Sequence, residues 1–414
     1  MSSVVLKDPC LNRLIFLFDG TWAHRKSADR ATIIQTLNEL IPREGNTVFY
    51  QKGVGAAIGL SEKIIGAVTG RGVKDNIVDA YSFLADNWKP GVEIIIIGFS
   101  RGAYTARSFA GLLYRVGVPQ HKNDKTYRLL VNAYCQRDVR KQGVPEHLRK
   151  KYECKNVEIA ALCCFDTVGS LGIPNTGVLG VLKLSHFFYQ EFEFHETHPA
   201  PNTKFIFHAL ALHDPRKPFA PTLMHVPEGD DRVLKQVWFP GSHGNLGWED
   251  VQGGLVDIPL AWMLQQLQWS VGLEFNQERL ARRFPRFAEI PIPLDCDKEH
   301  QWIHSRVRGS KSWFMMLMGH KSRVPGYYPK DGMKTNEEIH PSVRLRGYGK
   351  KRSDSAIPGF HCASNQDGAF SWVEDSKHSR PLLRRSDSEA SNVYRTIPEA
   401  KMDEFEAQLL GVSF

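Results

Sequence analysis

Val92-Glu93-Ile94-Ile95-Ile96-Ile97-Gly98-Phe99-Ser100-Arg101-Gly102-Ala103-Tyr104-Thr105-Ala106-Arg107 is the stretch on which the fold turns. Ile94 to Ile97 is an unbroken β-branched run, too short for a typical helix and without alternation, which is how a strand buried on both faces of a parallel sheet reads. Gly98-Phe99-Ser100-Arg101-Gly102 follows at once, and helix-compatible residues follow that. Strand, tight Gly-x-Ser-x-Gly turn and helix are the context of a nucleophile elbow, in which the serine is lifted above the sheet on a strained turn. Side chains at Gly98 and Gly102 would collide there with neighbouring strand and helix. The following helix turns its first N–H groups and its positive dipole end towards Ser100.

Outward from this stretch, the chain has 414 residues with a hydrophobic share of 42%, enough for one large α/β domain with additions. No stretch approaches the ~20 apolar residues of a spanning helix. Met1 to Asn12 lacks the regions of a signal peptide, so a cytoplasmic protein is expected. Seven scattered cysteines without a Cys-x-x-Cys point to reduced thiols, with no metal site and no cofactor expected. A formal charge of +8 favours anionic surfaces. No nucleic-acid motif appears, so no nucleic-acid partner is expected, while the charge would suit peripheral association with an anionic membrane surface. Oligomeric state is not legible.

Arg13 to Phe18 reads as a strand ending in Asp19-Gly20-Thr21-Trp22, Ala31 to Leu40 as a helix, and Thr47 to Tyr50 as a second strand. Gly66 to Gly72 fits neither a dinucleotide fingerprint nor a Walker spacing. Lys74 to Trp88 has helical spacing of its apolar residues. Residues 119–152, whose polar and basic part runs from Asn123 to Lys151, read as a helical insertion. Val157 to Phe165 is a buried strand ending in Asp166, Lys204 to Leu212 a strand ending in His213-Asp214, and Gln236 to Phe239 a strand leading to Pro240-Gly241-Ser242-His243. Residues 175–200 carry a dense apolar and aromatic stripe, read equally as a cap over a site or as core. Ile258 to Val271 reads as an amphipathic helix, and Pro398 to Leu410 as a closing helix. Residues 1–282 therefore form the expected catalytic domain and 283–414 a basic, loop-rich extension. Long loops are expected over Leu345 to Arg395, with disorder at Lys350 to Ala356 and near Arg384 to Ser391.

Ser100, Asp166 and His243 stand at strand ends in the chain order of α/β-hydrolase triads. A hydroxyl is a poor nucleophile until an imidazole takes its proton, and the imidazole needs a buried carboxylate to fix its tautomer. Ser100 is thus the expected nucleophile, His243 the base and then acid, and Asp166 the orienter. Asp214, after the next strand, is the competing carboxylate. The oxyanion hole is expected from the N–H of Arg101 and from Gly20-Thr21, where glycine allows close backbone approach. His195, His208 and His213 are expected around these groups.

These residues carry a resemblance. Phe18-Asp19-Gly20-Thr21-Trp22, Tyr50 to Gly55, Gly98 to Arg107, Phe165 to Ser170, His208 to Leu212 with Phe219-Ala220-Pro221, Trp238 to Gly247 and Trp262-Met263 resemble the DUF2235 family of α/β hydrolases. That family includes catalytic domains of bacterial type VI secretion phospholipase effectors. Thr335 to Arg344 is similar to the carboxyl part of fungal members. The resemblance implies an α/β-hydrolase-like, mostly parallel sheet with helices on both faces, ester hydrolysis, phospholipid-like substrates and the triad Ser100, Asp166 and His243. Two stretches depart from the family pattern. Where the family has Gly-Val-His-Ser-Asp-Val-Gly-Gly the chain has Gly241-Ser242-His243-Gly244-Asn245-Leu246-Gly247-Trp248, and where it has Ala-Leu-Asp-Glu-Arg the chain has Ala211-Leu212-His213-Asp214-Pro215.

The expectation is therefore a serine hydrolase of lipid-like esters acting through an acyl-enzyme. An esterase, thioesterase or acyltransferase on a small soluble substrate stays open, as does a non-catalytic scaffold with a basic tail. Arg384-Arg385-Ser386-Asp387-Ser388 also suggests a phosphorylation site.

Overall fold

The computed structural model of the chain describes residues 12–20, 31–53, 71–136, 144–168, 198–216, 219–248, 254–284, 292–293, 305, 307, 322–327, 331–346, 357–375 and 395–413. In chain order its strands are β1 (Arg13–Phe18), β2 (Asn46–Gln51), β3 (Glu93–Phe99), β4 (Ile159–Phe165), β5 (Thr203–Ala211), β6 (Val226–Pro227), β7 (Val233–Phe239), β8 (Ile292–Pro293), β9 (Met333–Lys334), β10 (Glu337–Ile339), β11 (Phe360–Ser364), β12 (Phe370–Glu374), β13 (Thr396–Pro398) and β14 (Val412–Ser413). Its helices are α1 (Ile33–Leu40), α2 (Arg71–Asn87), α3 (Arg101–Arg115), α4 (Asp124–Cys135), α5 (Glu146–Lys151), α6 (His243–Gly247), α7 (Asp257–Val271), α8 (Gln277–Arg283), α9 (Pro341–Leu345) and α10 (Glu404–Leu410).

The isoleucine run behaves as its composition demands. Within β3, Ile95 and Ile97 face one buried cluster with α1 and α7, while Ile94 and Ile96 face another with α2, α3 and α4. Each such side chain contributes roughly 1.5–3 kcal/mol by burial, so neither face tolerates a polar residue. The sheet has seven strands in the order β10-β7-β5-β4-β3-β1-β2, every neighbouring pair parallel. This is an α/β-hydrolase-like, doubly wound architecture. Its order reverses at β1, which lies between β2 and β3, so the crevice outside the carboxyl ends of β1 and β3 is where such a sheet binds ligands.

Some expectations require correction. Helix α4, within the residues read as a helical insertion, packs into the core through Tyr127, Leu130, Val131 and Tyr134 against α2 and α3. Helix α7 is not amphipathic: Leu260, Trp262, Met263, Leu264, Gln266 and Leu267 are all buried, because α10 covers the side turned away from the sheet. The stretch expected as loops from Leu345 to Arg395 holds β11 and β12, which form an antiparallel sheet with β13. Nor does the sheet end at residue 282. Glu337 and Ile339 of β10 pair with Gln236 and Trp238 of β7, and the Glu337 carboxylate accepts from Trp238 Nε1 at 2.9 Å. A short β10 carries too little periodicity to be read from sequence; its edge position follows from tertiary packing. Residues 175–197 of the cap candidate, the Gly66 to Gly70 run, and the segments 350–356 and 384–391 lie outside the described residues.

Candidate active site

The β3–α3 turn has the geometry its glycines require. Ser100 has φ 59° and ψ −121°, a conformation that costs a non-glycine residue ~1–3 kcal/mol. A Cβ on Gly98 would lie 2.4 Å from the Gly102 carbonyl oxygen, and one on Gly102 would lie 2.2 Å from the Phe18 carbonyl oxygen. The turn is tied to the next strand by Ser100 N–H donating to Phe165 O at 2.9 Å.

Three strand ends meet at this turn. His243 Nε2 lies 2.8 Å from Ser100 Oγ, and His243 Nδ1 lies 2.6 Å from Asp166 Oδ2. Ser100 is 6% exposed, His243 2% and Asp166 0%. An ionised carboxylate only accepts, so Nδ1 carries the ring proton and Nε2 presents its lone pair to the hydroxyl. Phe99 stacks on the imidazole at 4.9 Å, Phe219 meets it edge-on at 4.9 Å, and Trp248 closes a third side at 6.1 Å. These aromatic walls keep water from the ring while leaving its two nitrogens paired.

Asp166 is held more tightly than the sequence suggested. Its Oδ1 accepts from Ala211 N at 3.0 Å and from Arg323 Nη1 at 2.6 Å, and its Oδ2 accepts from Arg323 Nη2 at 3.1 Å as well as from His243. Burial works to raise this carboxyl, but Arg323 and the His243 hydrogen bond outweigh it and hold it well below the usual carboxylate range. Asp214, the competing carboxylate, does not touch the imidazole. Its Oδ2 accepts from the His243 backbone N–H at 3.1 Å and from Arg216 Nη2 at 2.6 Å. Burial works to raise Asp214 too, yet the hydrogen bonds from Arg216 hold it below its ordinary value.

The histidine loop accommodates its departures from the family pattern. Asn245 Oδ1 accepts from Ser242 N at 3.0 Å and Ser242 Oγ at 2.9 Å, acceptor duties that an aspartate would perform equally. His213 Nδ1 accepts from Gly241 N–H at 2.9 Å, fixing the entry to the loop. Burial pushes His213 down to about 4, so it is neutral. His208 Nε2 accepts from the N–H of Thr167, beside Asp166, at 3.2 Å, and its Nδ1 meets Gln236 Oε1 at 3.0 Å. Burial, reinforced by Arg107, takes His208 down to about 3.

On the β1 side, Asp19 organises the loop. Its Oδ2 accepts from Thr32 Oγ1 at 2.7 Å and Tyr50 OH at 2.9 Å, and its Oδ1 accepts from Gly20 N–H at 2.7 Å. Burial, then the Asp19 charge, pushes the Tyr50 phenol up, which keeps it a donor. The Gly20 loop does reach the elbow: a Cβ on Gly20 would lie 2.6 Å from the Phe99 ring and 3.4 Å from Ser100 Cβ. Its N–H donates to the Asp19 carboxylate in this structure. Arg101 opens α3 directly after Ser100; Thr21 and His195 lie outside the described residues. Among the described residues no cluster of His, Cys, Asp and Glu stands ready to hold a metal, and no helix is long and apolar enough to cross a membrane.

Arg323 is the residue that sequence reasoning missed. It is one of 53 basic residues, set in a stretch without periodicity, and nothing local distinguishes it. Asp19 stood in a quoted motif, but its hold on Gly20 was not legible.

An uncharacterized protein of Saccharomyces cerevisiae is 25% identical over 184 residues, 39% of this chain, and the match spans only 27% of the yeast protein. A crystal structure of an uncharacterized protein from Pseudomonas aeruginosa is 15% identical, with a TM-score of 0.36 over 64% of this chain and 47% of that one. The family described as T6SS phospholipase effector Tle1-like, catalytic domain, matches residues 12–266, which runs from the start of β1 through the elbow and the histidine loop into α7. The chain belongs to the family of Tle1-like phospholipase effector catalytic domains.

Proposed function

We propose that the protein is a serine hydrolase of lipid-like carboxylic esters. The observation that carries this reading is the hydrogen-bonded line Ser100 Oγ, His243 Nε2, His243 Nδ1, Asp166 Oδ2 at the crevice beside β1 and β3. Ser100 Oγ attacks the ester carbonyl while its proton passes to His243 Nε2. The C–O bond to the leaving alkoxide then breaks as that proton is returned to it. Water, deprotonated by the same nitrogen, attacks the acyl-enzyme, releases the acid and regenerates Ser100. Asp166 keeps the Nδ1 tautomer and offsets the imidazolium charge. The Arg101 N–H at the positive end of α3, with Gly20-Thr21 as the second donor, receives the oxyanion; one such donor is worth about 3 kcal/mol.

Family membership favours phospholipids, and the net charge of +8 favours peripheral contact with an anionic lipid surface. The test is intact-mass analysis after fluorophosphonate treatment of native protein, Ser100→Ala and His243→Ala. Phosphorus should replace the Ser100 proton in the native protein alone, with fluoride leaving. Unlabelled native protein from a preparation that labels is then given phospholipid vesicles with and without phosphatidylglycerol, beside short soluble esters. Turnover of the soluble esters alone would move the substrate from lipid to small molecule, and a folded native protein that never labels would refute the serine mechanism.

A further inference from the structure

We infer that Arg323 is a positioning residue of the Ser100 site: reaching in from outside the stretch that the family profile matches, it grips both oxygens of Asp166 and sets how strongly the Asp166–His243 pair holds a proton. The inference rests on the triad reading proposed above. Its basis is geometric. Arg323 is 3% exposed and meets Asp166 two-pronged, at 2.6 and 3.1 Å, while its remaining hydrogen bonds fall on Ala211 O at 2.7 Å and on Phe219 O. These carbonyls belong to the end of β5 and to the residue whose ring packs against His243. The planar fork therefore fixes the carboxylate, the strand end and one wall of the imidazole together, which a lysine could not do.

The electrostatic consequence has a definite sign. The ring of His243 faces Asp166 and Ser100, with Phe99, Phe219 and Trp248 around it, and its backbone faces Asp214, itself paired with Arg216. His208, near Asp166, is neutral. The charge in direct contact with the Asp166 carboxylate is thus the Arg323 guanidinium, and it offsets much of the negative charge that would otherwise bind a proton on the imidazole. Removing the cation raises the apparent pKa of the pair, whichever partner carries the proton. Because the base must be proton-free to act, the acid limb of reactivity then moves to higher pH. A purely structural buttress would alter rate or stability and leave that limb in place.

The experiment follows the rate of fluorophosphonate labelling of the full chain from about pH 5 to 9 in the native protein, Arg323→Gln and Arg323→Lys, with thermal unfolding as the check on folding. The rate, not the labelled amount, reports on folded molecules only. The acid limb of Arg323→Gln should rise by about one pH unit, while Arg323→Lys, which keeps the charge, should stay within about 0.3 unit of native at a lower rate. A folded glutamine variant with the native limb overturns the inference. Should that variant not fold, a lysine variant whose limb moves by a full unit overturns it equally. No labelling of the native protein would refute the triad itself, a result distinct from either.

Discussion

Among the described residues two serine–histidine–carboxylate constellations stand in different settings. At the carboxyl edge of β3 and β4, His243 lies 2.6 Å from Asp166 and 2.8 Å from Ser100. At the β10 edge, His340 lies 2.7 Å from Glu406 and 2.7 Å from Ser342, stacked on Phe239 at 4.7 Å. The second group is wholly buried, and its parts face differently. His340 Nδ1 accepts from the Ser342 N–H at 3.1 Å, so the ring proton sits on Nε2 towards Glu406, the imidazole caps the first turn of α9, and the Ser342 hydroxyl donates to the same Nδ1. Ser342 has ordinary backbone, whereas Ser100 is strained. Glu406 lacks a guanidinium, and its Oε2 has no hydrogen-bond partner among the described residues. Residue types at contact distance thus do not make a site. A strained elbow at the end of β3 and a carboxylate paired with a guanidinium separate the first group from the second, which pins α10 onto the β10 edge.

The largest test of this contrast exchanges the two acids for amides. Asp166→Asn should slow fluorophosphonate labelling of Ser100 about 10⁴-fold through loss of the correct tautomer. Glu406→Gln should leave the rate within about twofold and change stability by about 1 kcal/mol, as a single exchanged hydrogen bond does. A large loss of labelling in Glu406→Gln would break the comparison. The elbow comes next: Gly102→Ala places a methyl 2.2 Å from a backbone carbonyl oxygen that cannot retreat without moving β1. It should cost about 3 kcal/mol in urea unfolding. A variant as stable as native would show that the turn is looser than its contacts imply.

The smallest effect sharpens the contrast through pH. Asp166 is depressed in the folded protein, so its contribution to stability is present above the unfolded carboxylate value of ~3.9 and is lost as pH falls through its lower folded value. Glu406 is raised, by burial above all, so its contribution is present below the unfolded value of ~4.3 and is lost as pH rises through the folded one. The stability gap between native and Asp166→Asn should therefore narrow as urea titrations descend below about pH 4, and that between native and Glu406→Gln should narrow as pH climbs from about 4. Parallel curves would contradict these opposite signs.

Much of this protein was determined by its sequence, because the signals are local. An all-apolar isoleucine run could only be a strand buried on both faces, and the glycines on either side of Ser100 could only serve a turn with no room for a Cβ. The positions of Asp166 and His243 just past such strands followed from the same patterning, and the structure brings both to Ser100. Only tertiary structure decided the rest. Asp166 and Asp214 look alike as strand-end carboxylates, and what separates them is that one meets the imidazole and the other its backbone. The hold of the Asp19 carboxylate on the Gly20 N–H came likewise from the folded loop. Arg323 and β10 come from a stretch whose sequence reads as loop and tail, because an arginine that grips a carboxylate 157 positions away needs no local pattern. Its place is set by long-range burial and charge balance, which come into being only once the chain has closed on itself.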